Sequence, residues 1–251
     1  MSDICKLTLK HGKYIKSHIL PKALTRPAIK GKQFKQFGER TPSGFKRCSD
    51  SWYDQQIVIR EGEDILRDYD NDGIKILKKH GLVWSSSKFK EKDGFFWVCN
   101  INNKESRELR LFFLSILWRA AVTEMKEFSE IELTDDDVEK IRLILLKKVE
   151  DDLSFFPISL ATFDKKGEIH NFGGLKNEEF IPFPHNKLVN VFRFFIDGLI
   201  IRFYIDSGYD KNAPNILCNK KEIIINNIQW DNSWQRQNII LSILDAIKRQ
   251  R

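Results

Sequence analysis

One histidine stands in the segment KSHILPK, residues 16–22, where a predicted short strand over residues 15–20 meets a turn closed by Pro21. A neutral imidazole near pH 7 can accept a proton from water, which is the chemistry of a general base. A lone histidine at the end of a strand is also typical of a capping or core residue. The segment by itself leaves both interpretations of His18 open.

Two carboxylates further along the chain, Asp54 and Glu63, are of the residue type that binds hard cations such as Mg²⁺ and Mn²⁺. Glu63 falls in the first turn of a predicted helix, where a carboxylate also stabilises the helix dipole by roughly 0.3–1 kcal/mol. Asp54 is equally well explained as an exposed loop acid. The aromatic residues before it, Trp52 and Tyr53, would either stack on bases or pack a small core.

The net charge of +7 is concentrated in one part of the chain. Residues 1–50 hold 12 Lys and Arg against 3 Asp and Glu, a net charge of +9, whereas the other 201 residues hold 30 against 32. A concentrated basic arm is the electrostatic feature expected for a partner with a phosphate backbone. A solvated, lysine-rich surface segment explains the same arithmetic equally well.

The segment KSHILPK, preceded by Cys5, resembles the opening of HNH-type nucleases. It is most similar to a bacterial group that reads CxxC, about nine residues, and then SHIIPK. That group continues about 40 residues later with CxxCE and the start of a helix, and residues 59–70 (IREGEDILRDYD) match it with Glu63, Leu66 and Asp70 in register. Residues 109–121 (LRLFFLSILWRAA) resemble the next helix of the group, so the resemblance covers about the first 150 residues.

The resemblance implies an N-terminal ββα-metal unit that hydrolyses phosphodiester bonds of DNA with Mg²⁺ or Mn²⁺. His18 takes the position of the general base, and Glu63 that of a metal-binding histidine on the helix. The central asparagine position falls on Asp54, which would bind the metal or orient His18, with Gln55 one register away as the alternative. Ser17 stands where many members have an aspartate or histidine ligand, and a hydroxyl cannot neutralise a metal ion.

The partner that the resemblance implies is nucleic acid, with double-stranded DNA as the expected form, although the residues themselves leave RNA open. A setting in antiviral defence, with a partner protein of the defence system, is implied by the resemblance alone. Four basic side chains are the expected nucleic-acid-binding residues: Lys16, Lys22, Lys46 and Arg47.

The structural zinc site of the group is degenerate in this chain. Only Cys5 remains of four thiolates, because Thr8, Ile59 and Gly62 occupy the other positions. A tetrahedral structural zinc site of this type depends on its thiolates. We therefore expect no structural zinc here, and ordinary packing should hold the unit together.

Composition excludes several other classes of protein. With 251 residues and 41% apolar residues the chain is neither a disordered segment nor a disulfide scaffold. The longest apolar run, residues 109–122, is interrupted by Arg110, Ser115 and Arg119, so no transmembrane helix is expected. The N-terminus lacks the apolar segment of a secretory signal, which predicts a cytoplasmic protein with no membrane partner.

Arg119 should pair with a carboxylate, because an unpaired buried charge is costly.

The expected fold class is α+β, with the ββα-metal unit followed by helices and a C-terminal antiparallel sheet with a closing helix. The expected domains are residues 1–82 and 83–251. Asp197 and Gly198 predict a type I′ hairpin, and residues 70–73 (DNDG) predict a polar turn that ends a helix. The main predicted elements are helices 105–125 and 134–148, a sheet over 155–226 and a helix over 233–249.

Two functions of different classes fit these residues. The first is an HNH-like metal-dependent endonuclease, favoured by His18 together with acids at positions 54 and 63. The second is a catalytically inactive descendant that binds nucleic acid or a partner protein. Loss of the zinc thiolates and the hydroxyl at Ser17 favour the second.

Overall fold

The computed structural model describes residues 3–25, 34–37, 46–48, 51–168, 170–181, 187–205, 210–217 and 221–248. For residues 34–37 and 46–48, and for a few positions in later strands and the last helix, it describes the backbone alone. Within these ranges the chain forms the helices α1 (Lys22–Thr25), α2 (Arg60–Lys79), α3 (Asn103–Val122), α4 (Asp135–Leu145) and α5 (Trp234–Lys248). The strands are β1 (Asp3–Ile4), β2 (His11–Gly12), β3 (Ser17–His18), β4 (Phe34–Phe37), β5 (Lys46–Cys48), β6 (Tyr53–Asp54), β7 (Phe96–Asn100), β8 (Ile158–Phe163), β9 (His170–Ile181), β10 (Lys187–Ile196), β11 (Leu199–Tyr204) and β12 (Glu222–Ile228).

Eight strands form one sheet in the order β5-β4-β9-β10-β11-β8-β12-β7. The predicted α+β class is confirmed, but the prediction of an antiparallel sheet is wrong in part. The pairs β4–β9 and β12–β8 are parallel, whereas the other neighbours are antiparallel. Parallel neighbours need long crossover connections, and the two strands of each parallel pair are far apart in the chain.

The main hydrophobic core draws on both halves of the chain. It includes Leu66 and Leu77 of α2 together with Phe194 and Ile201 of the sheet. In addition, β4 from the basic arm pairs with β9. The main core and the large sheet therefore both contain residues from each side of the predicted boundary at residue 82.

The helix α2 is continuous through residues 70–73, so the prediction of a turn there is wrong. Gly73 is buried against α3, and a Cβ built on it would lie 2.2 Å from Cγ of Phe112. Glycine costs about 1 kcal/mol relative to alanine inside a helix. Here its lack of a side chain lets α2 and α3 pack closely, and the burial gained keeps the helix intact.

The hairpin predicted at Asp197 and Gly198 is confirmed. Both residues have positive φ angles, 49° and 79°, and they join β10 to β11. The helices α3, α4 and α5 confirm the three predicted helices, with ends that differ by up to three residues. None of the helices in the described ranges has the length and apolar character needed to cross a membrane.

Candidate active site

A short strand pair and the helix that follows it position the predicted site residues. The strand β3 pairs with β6 in antiparallel register, with Ser17 opposite Asp54 and His18 opposite Tyr53. Side chains of directly opposed residues lie on the same face of a strand pair. The next element in the chain is α2, whose residue Glu63 lies in its first turn. In the chain, α1, β4 and β5 separate the two paired strands, and α2 follows the second of them.

Glu63 of α2 points toward Ser17 of β3. Burial raises the pKa of Glu63, while the Ser17 hydroxyl and the nearby Arg119 guanidinium act in the opposite direction. The Glu63 Oε2 and Ser17 Oγ atoms are shielded from solvent, and neither completes a hydrogen bond of good geometry with the described residues. Burying a polar oxygen without a partner is unfavourable. The pair therefore has unused capacity to bind a further group.

Asp70 lies seven residues after Glu63, on the same face of α2 and about 10 Å further along the helix. Both of its oxygens accept hydrogen bonds from Arg119 of α3, at 3.1 and 2.6 Å. The Arg119 side chain is 1% exposed and also donates to the backbone oxygen of His18 at 2.8 Å. The prediction that Arg119 pairs with a carboxylate is confirmed. This guanidinium ties the end of β3 to both helices.

The imidazole of His18 lies at the partly open side of this cluster. It meets the ring of Tyr53 edge-on, with 6.1 Å between ring centroids. Burial raises the pKa of Asp70, while Arg119 and, less strongly, the nearby His18 act in the opposite direction. A nearby carboxylate favours the protonated form of an imidazole. The carboxylate of Asp70 is therefore placed to interact with positive charge that forms on His18.

Asp54 is held by two hydrogen bonds at the other end of the pairing. Its Oδ1 accepts from the backbone N–H of Gln56 at 2.8 Å, and its Oδ2 accepts from the hydroxyl of Thr123 at 2.6 Å. Asp54 shares its strand face with Ser17, whereas His18 shares the opposite face with Tyr53. The contacts of Asp54 thus connect β6 to the end of α3.

The two aromatic residues before Asp54 have different environments. Trp52 is buried and meets the ring of Phe128 at 5.5 Å between centroids, so it packs the core. Tyr53 is 43% exposed, and the Lys16 ammonium lies 3.6 Å from the centre of its ring. The exposed surface beside His18 therefore carries an aromatic ring and a cation.

The other predicted nucleic-acid-binding residues lie further along the basic arm. Lys22 begins α1, directly after Pro21, and is partly exposed. For Lys46 and Arg47 of β5 only the backbone is described, so their side chains lie outside the described part of the structure.

The positions of the degenerate zinc site pack together around Cys5. The Cys5 side chain is fully buried, and its Sγ accepts a 3.4 Å hydrogen bond from the backbone N–H of Thr8. A Cβ at Gly62 would lie 2.8 Å from that sulfur, and Ile59 belongs to the same core. Apolar packing thus occupies this corner, and the absence of structural zinc stays a prediction.

The candidate divalent site has fewer protein ligands than a closed metal cage. Among the described residues, no group of three or more His, Cys, Asp or Glu side chains is arranged to hold a metal ion. Magnesium sites that act on phosphates commonly use one or two carboxylates, with water and phosphate oxygens as the other ligands. The unpartnered Oε2 of Glu63 and the adjacent Ser17 hydroxyl fit such an open site.

Sequence reasoning missed the partners that hold the site residues. The hydrogen bond from Thr123 to Asp54 joins residues 69 positions apart, and nothing in the local pattern predicts it. The local pattern predicts Asp70 in a polar turn, and although the resemblance places it in register with Glu63, its role beside Arg119 is not predicted. The seven-residue spacing from Glu63, which places both acids on one helix face, is the signal that could have identified it.

Comparisons with protein-family models, with curated proteins and with solved structures found no match to this chain.

Proposed function

We propose that this protein is an HNH-like, divalent-metal-dependent endonuclease that hydrolyses phosphodiester bonds of DNA. One observation carries the proposal: Ser17 of β3 lies beside the buried Glu63 of α2, and Asp70 further along that helix lies within electrostatic range of His18. A strand pair followed by a helix is what the resemblance to HNH nucleases implies, and His18, Asp54 and Glu63 are the residues that the resemblance singles out.

Each side chain has a separate task in the proposed reaction. The imidazole of His18 takes a proton from the water that attacks phosphorus. Asp70, fixed by Arg119, stabilises the imidazolium that forms. Glu63 and Ser17 would hold Mg²⁺ or Mn²⁺, and Asp54 lies across the strand pair from Ser17 as the further candidate ligand.

A divalent ion held there would polarise the scissile phosphate and stabilise the leaving oxygen. The chain's own contribution is the Glu63 carboxylate, whose Oε2 is buried without a hydrogen-bond partner among the described residues. Lys16, beside the exposed ring of Tyr53, supplies positive charge for the DNA backbone next to His18. Lys22, Lys46 and Arg47 extend this proposed contact along the basic arm, and the proposed setting is antiviral defence with a partner protein.

Cleavage of supercoiled plasmid in the presence of Mg²⁺ or Mn²⁺ tests the proposal. Glu63→Gln should lose nicking activity, because an amide is a far weaker ligand than a carboxylate. Glu61→Gln is the matched control: Glu61 lies in the same helical turn but is exposed and pairs with Lys10. Equal nicking by wild type and Glu63→Gln would reject Glu63 as a ligand, and no nicking with either metal would reject the nuclease.

A second function is favoured by the contacts of Asp54. Both of its oxygens already accept hydrogen bonds from Gln56 and Thr123, which leaves Glu63 as the less encumbered of the two proposed carboxylate ligands. The alternative is an inactive HNH-derived subunit that binds nucleic acid or a partner protein through the same arm. Metal-independent binding of labelled DNA duplex by wild type, without cleavage, would favour this alternative.

A further inference from the structure

The strand β7 forms one edge of the eight-stranded sheet. Its inner side pairs with β12, with Trp97 opposite Ile225 and Cys99 opposite Ile223. Two backbone hydrogen bonds flank these pairs: the Asn227 N–H donates to the Phe95 carbonyl, and the Ile101 N–H donates to the Lys221 carbonyl. These bonds identify the residues of β7 whose backbone groups face β12. In an antiparallel ladder only every second residue bonds to a given neighbour.

Because residues 95 and 101 bond to β12, the alternation places the backbone groups of residues 97 and 99 toward β12 as well. The backbone N–H and C=O groups of Phe96, Val98 and Asn100 therefore point away from the sheet. No strand in the described part of the chain pairs with this outer side. The edge thus offers a row of backbone donors and acceptors to a further strand.

The two edges of the sheet differ in the features that discourage pairing. The β5 edge is three residues long and carries Lys46 and Arg47. Short, charged edge strands are a common protection against association. The β7 edge has the sequence FWVCN over Phe96–Asn100, without charge or proline. The side chains of Phe96 and Val98 lie on one face of the sheet and are 61% and 50% exposed.

We propose that β7 pairs with β7 of a second copy of this chain in antiparallel register. The two-fold axis passes midway between Val98 and Val98 of the second copy. In this register Val98 faces its own symmetry mate, and Phe96 faces Asn100 of the second copy. The residues that hydrogen-bond across the axis are then the three whose backbone groups point outward. In this register the outward N–H and C=O groups of all three residues have hydrogen-bond partners. A two-fold interface requires such self-complementarity.

The uncharged sequence permits this self-pairing. A charge at the centre of a two-fold strand pair would face its own copy, and like charges directly opposite each other are destabilising. The pairing also brings Phe96 diagonal to Val98 of the second copy, within reach of the large ring. Four exposed apolar side chains then lie together on one face of the extended sheet.

Sedimentation equilibrium over a range of concentrations tests the proposal. Wild type should show the mass of two chains at about 100 µM and dissociate on dilution, as expected for a small interface. Val98→Lys should weaken dimerisation at least about tenfold by placing two ammonium groups at the axis. Val98→Thr is the matched control, because it keeps a β-branched, uncharged side chain, and it should remain close to wild type.

A cysteine pair tests the register. Directly hydrogen-bonded residues have Cα atoms about 5.5 Å apart, within disulfide range. Val98→Cys should therefore form a cross-linked dimer on oxidation. Asn100→Cys should not, because its symmetry mate lies about 14 Å away along the strand. A monomeric wild type at about 100 µM, unchanged dimerisation in Val98→Lys, or equal cross-linking of the two cysteine variants would overturn the proposal.

Discussion

The buried carboxylate of Glu63 is available to bind a metal ion, but its burial costs stability at neutral pH. Burial raises the pKa of Glu63, so the folded state favours its protonated form more than the unfolded chain does. Because the folded pKa lies above the unfolded one, the contribution of Glu63 to stability is lost as the pH rises through the folded value. Residues that bind a ligand often carry such a cost.

Glu63→Gln should therefore raise the Tm at pH 7, while the difference from wild type should shrink toward pH 4. Thermal unfolding at several pH values, without added metal, measures this. Glu61→Gln, on the exposed side of the same turn, should show no gain of this kind. A Glu63→Gln variant that is less stable than wild type at pH 7 would show that this carboxylate stabilises the fold.

Arg119 joins three elements through one guanidinium. It binds both oxygens of Asp70, the backbone oxygen of His18 and that of Ser115 in its own helix. Arg119→Met should cost about 3–5 kcal/mol, because the Asp70 carboxylate then stays buried without its partner. Urea unfolding measures the loss.

The double variant Asp70→Asn with Arg119→Met should recover part of that loss, since it removes the unpaired charge as well. If the double variant is no more stable than Arg119→Met alone, the cost does not come from the stranded carboxylate.

At the scale of elements, the close approach of α2 and α3 sets the position of the acidic face. Gly73→Ala would gain about 1 kcal/mol of helix propensity. Its Cβ would meet the Phe112 ring at 2.2 Å, however, and overpacking of this kind costs about 1–3 kcal/mol. The net effect should be a loss of stability in urea unfolding.

Combining Gly73→Ala with Phe112→Ala should cost less than the sum of the single changes, because the truncated ring leaves room for the added methyl group. Strict additivity of the two costs would contradict close packing at Gly73.

The β10–β11 hairpin contains a buried carboxylate. Asp197 is 3% exposed and accepts a hydrogen bond from the backbone N–H of Ser85, and burial raises its pKa to about 6. The folded pKa lies above the ordinary value, so wild type should lose stability as the pH rises from about 4 to about 6.

Asp197→Asn should be more stable than wild type at pH 7 by about 1–3 kcal/mol, because asparagine keeps an acceptor for Ser85 and suits the type I′ turn. The gain should vanish near pH 4. Asp93→Asn is the control, since Asp93 also precedes a glycine but is exposed. A pH-independent gain at Asp197 would show that only turn propensity has changed.

Local patterns predicted the elements that depend on neighbouring residues. Two residues with positive φ specify the hairpin at Asp197 and Gly198, and Thr134 with the acids after it specifies the start of α4. The turn predicted at residues 70–73 was wrong because contact with Phe112, 39 residues away, outweighs the local preference of a polar, glycine-containing segment.

For the whole molecule, the parallel pairings of the sheet lay beyond local patterns. The strand β4 adds to β9 across more than 130 residues, and β12 adds to β8 after three intervening strands. Such pairings depend on which buried faces meet, not on periodicity. Of the site, the sequence predicted the candidate residues, whereas the helix packing that brings Glu63, Asp70 and Arg119 together needed the fold.

The most direct test of the nuclease proposal is the rate of plasmid nicking by His18→Ala with saturating Mn²⁺. Loss of a general base should slow nicking by about 10²- to 10⁴-fold. His11→Ala should nick at the wild-type rate, because His11 is an exposed histidine of the same basic arm. Nicking by His18→Ala at the wild-type rate would contradict the account.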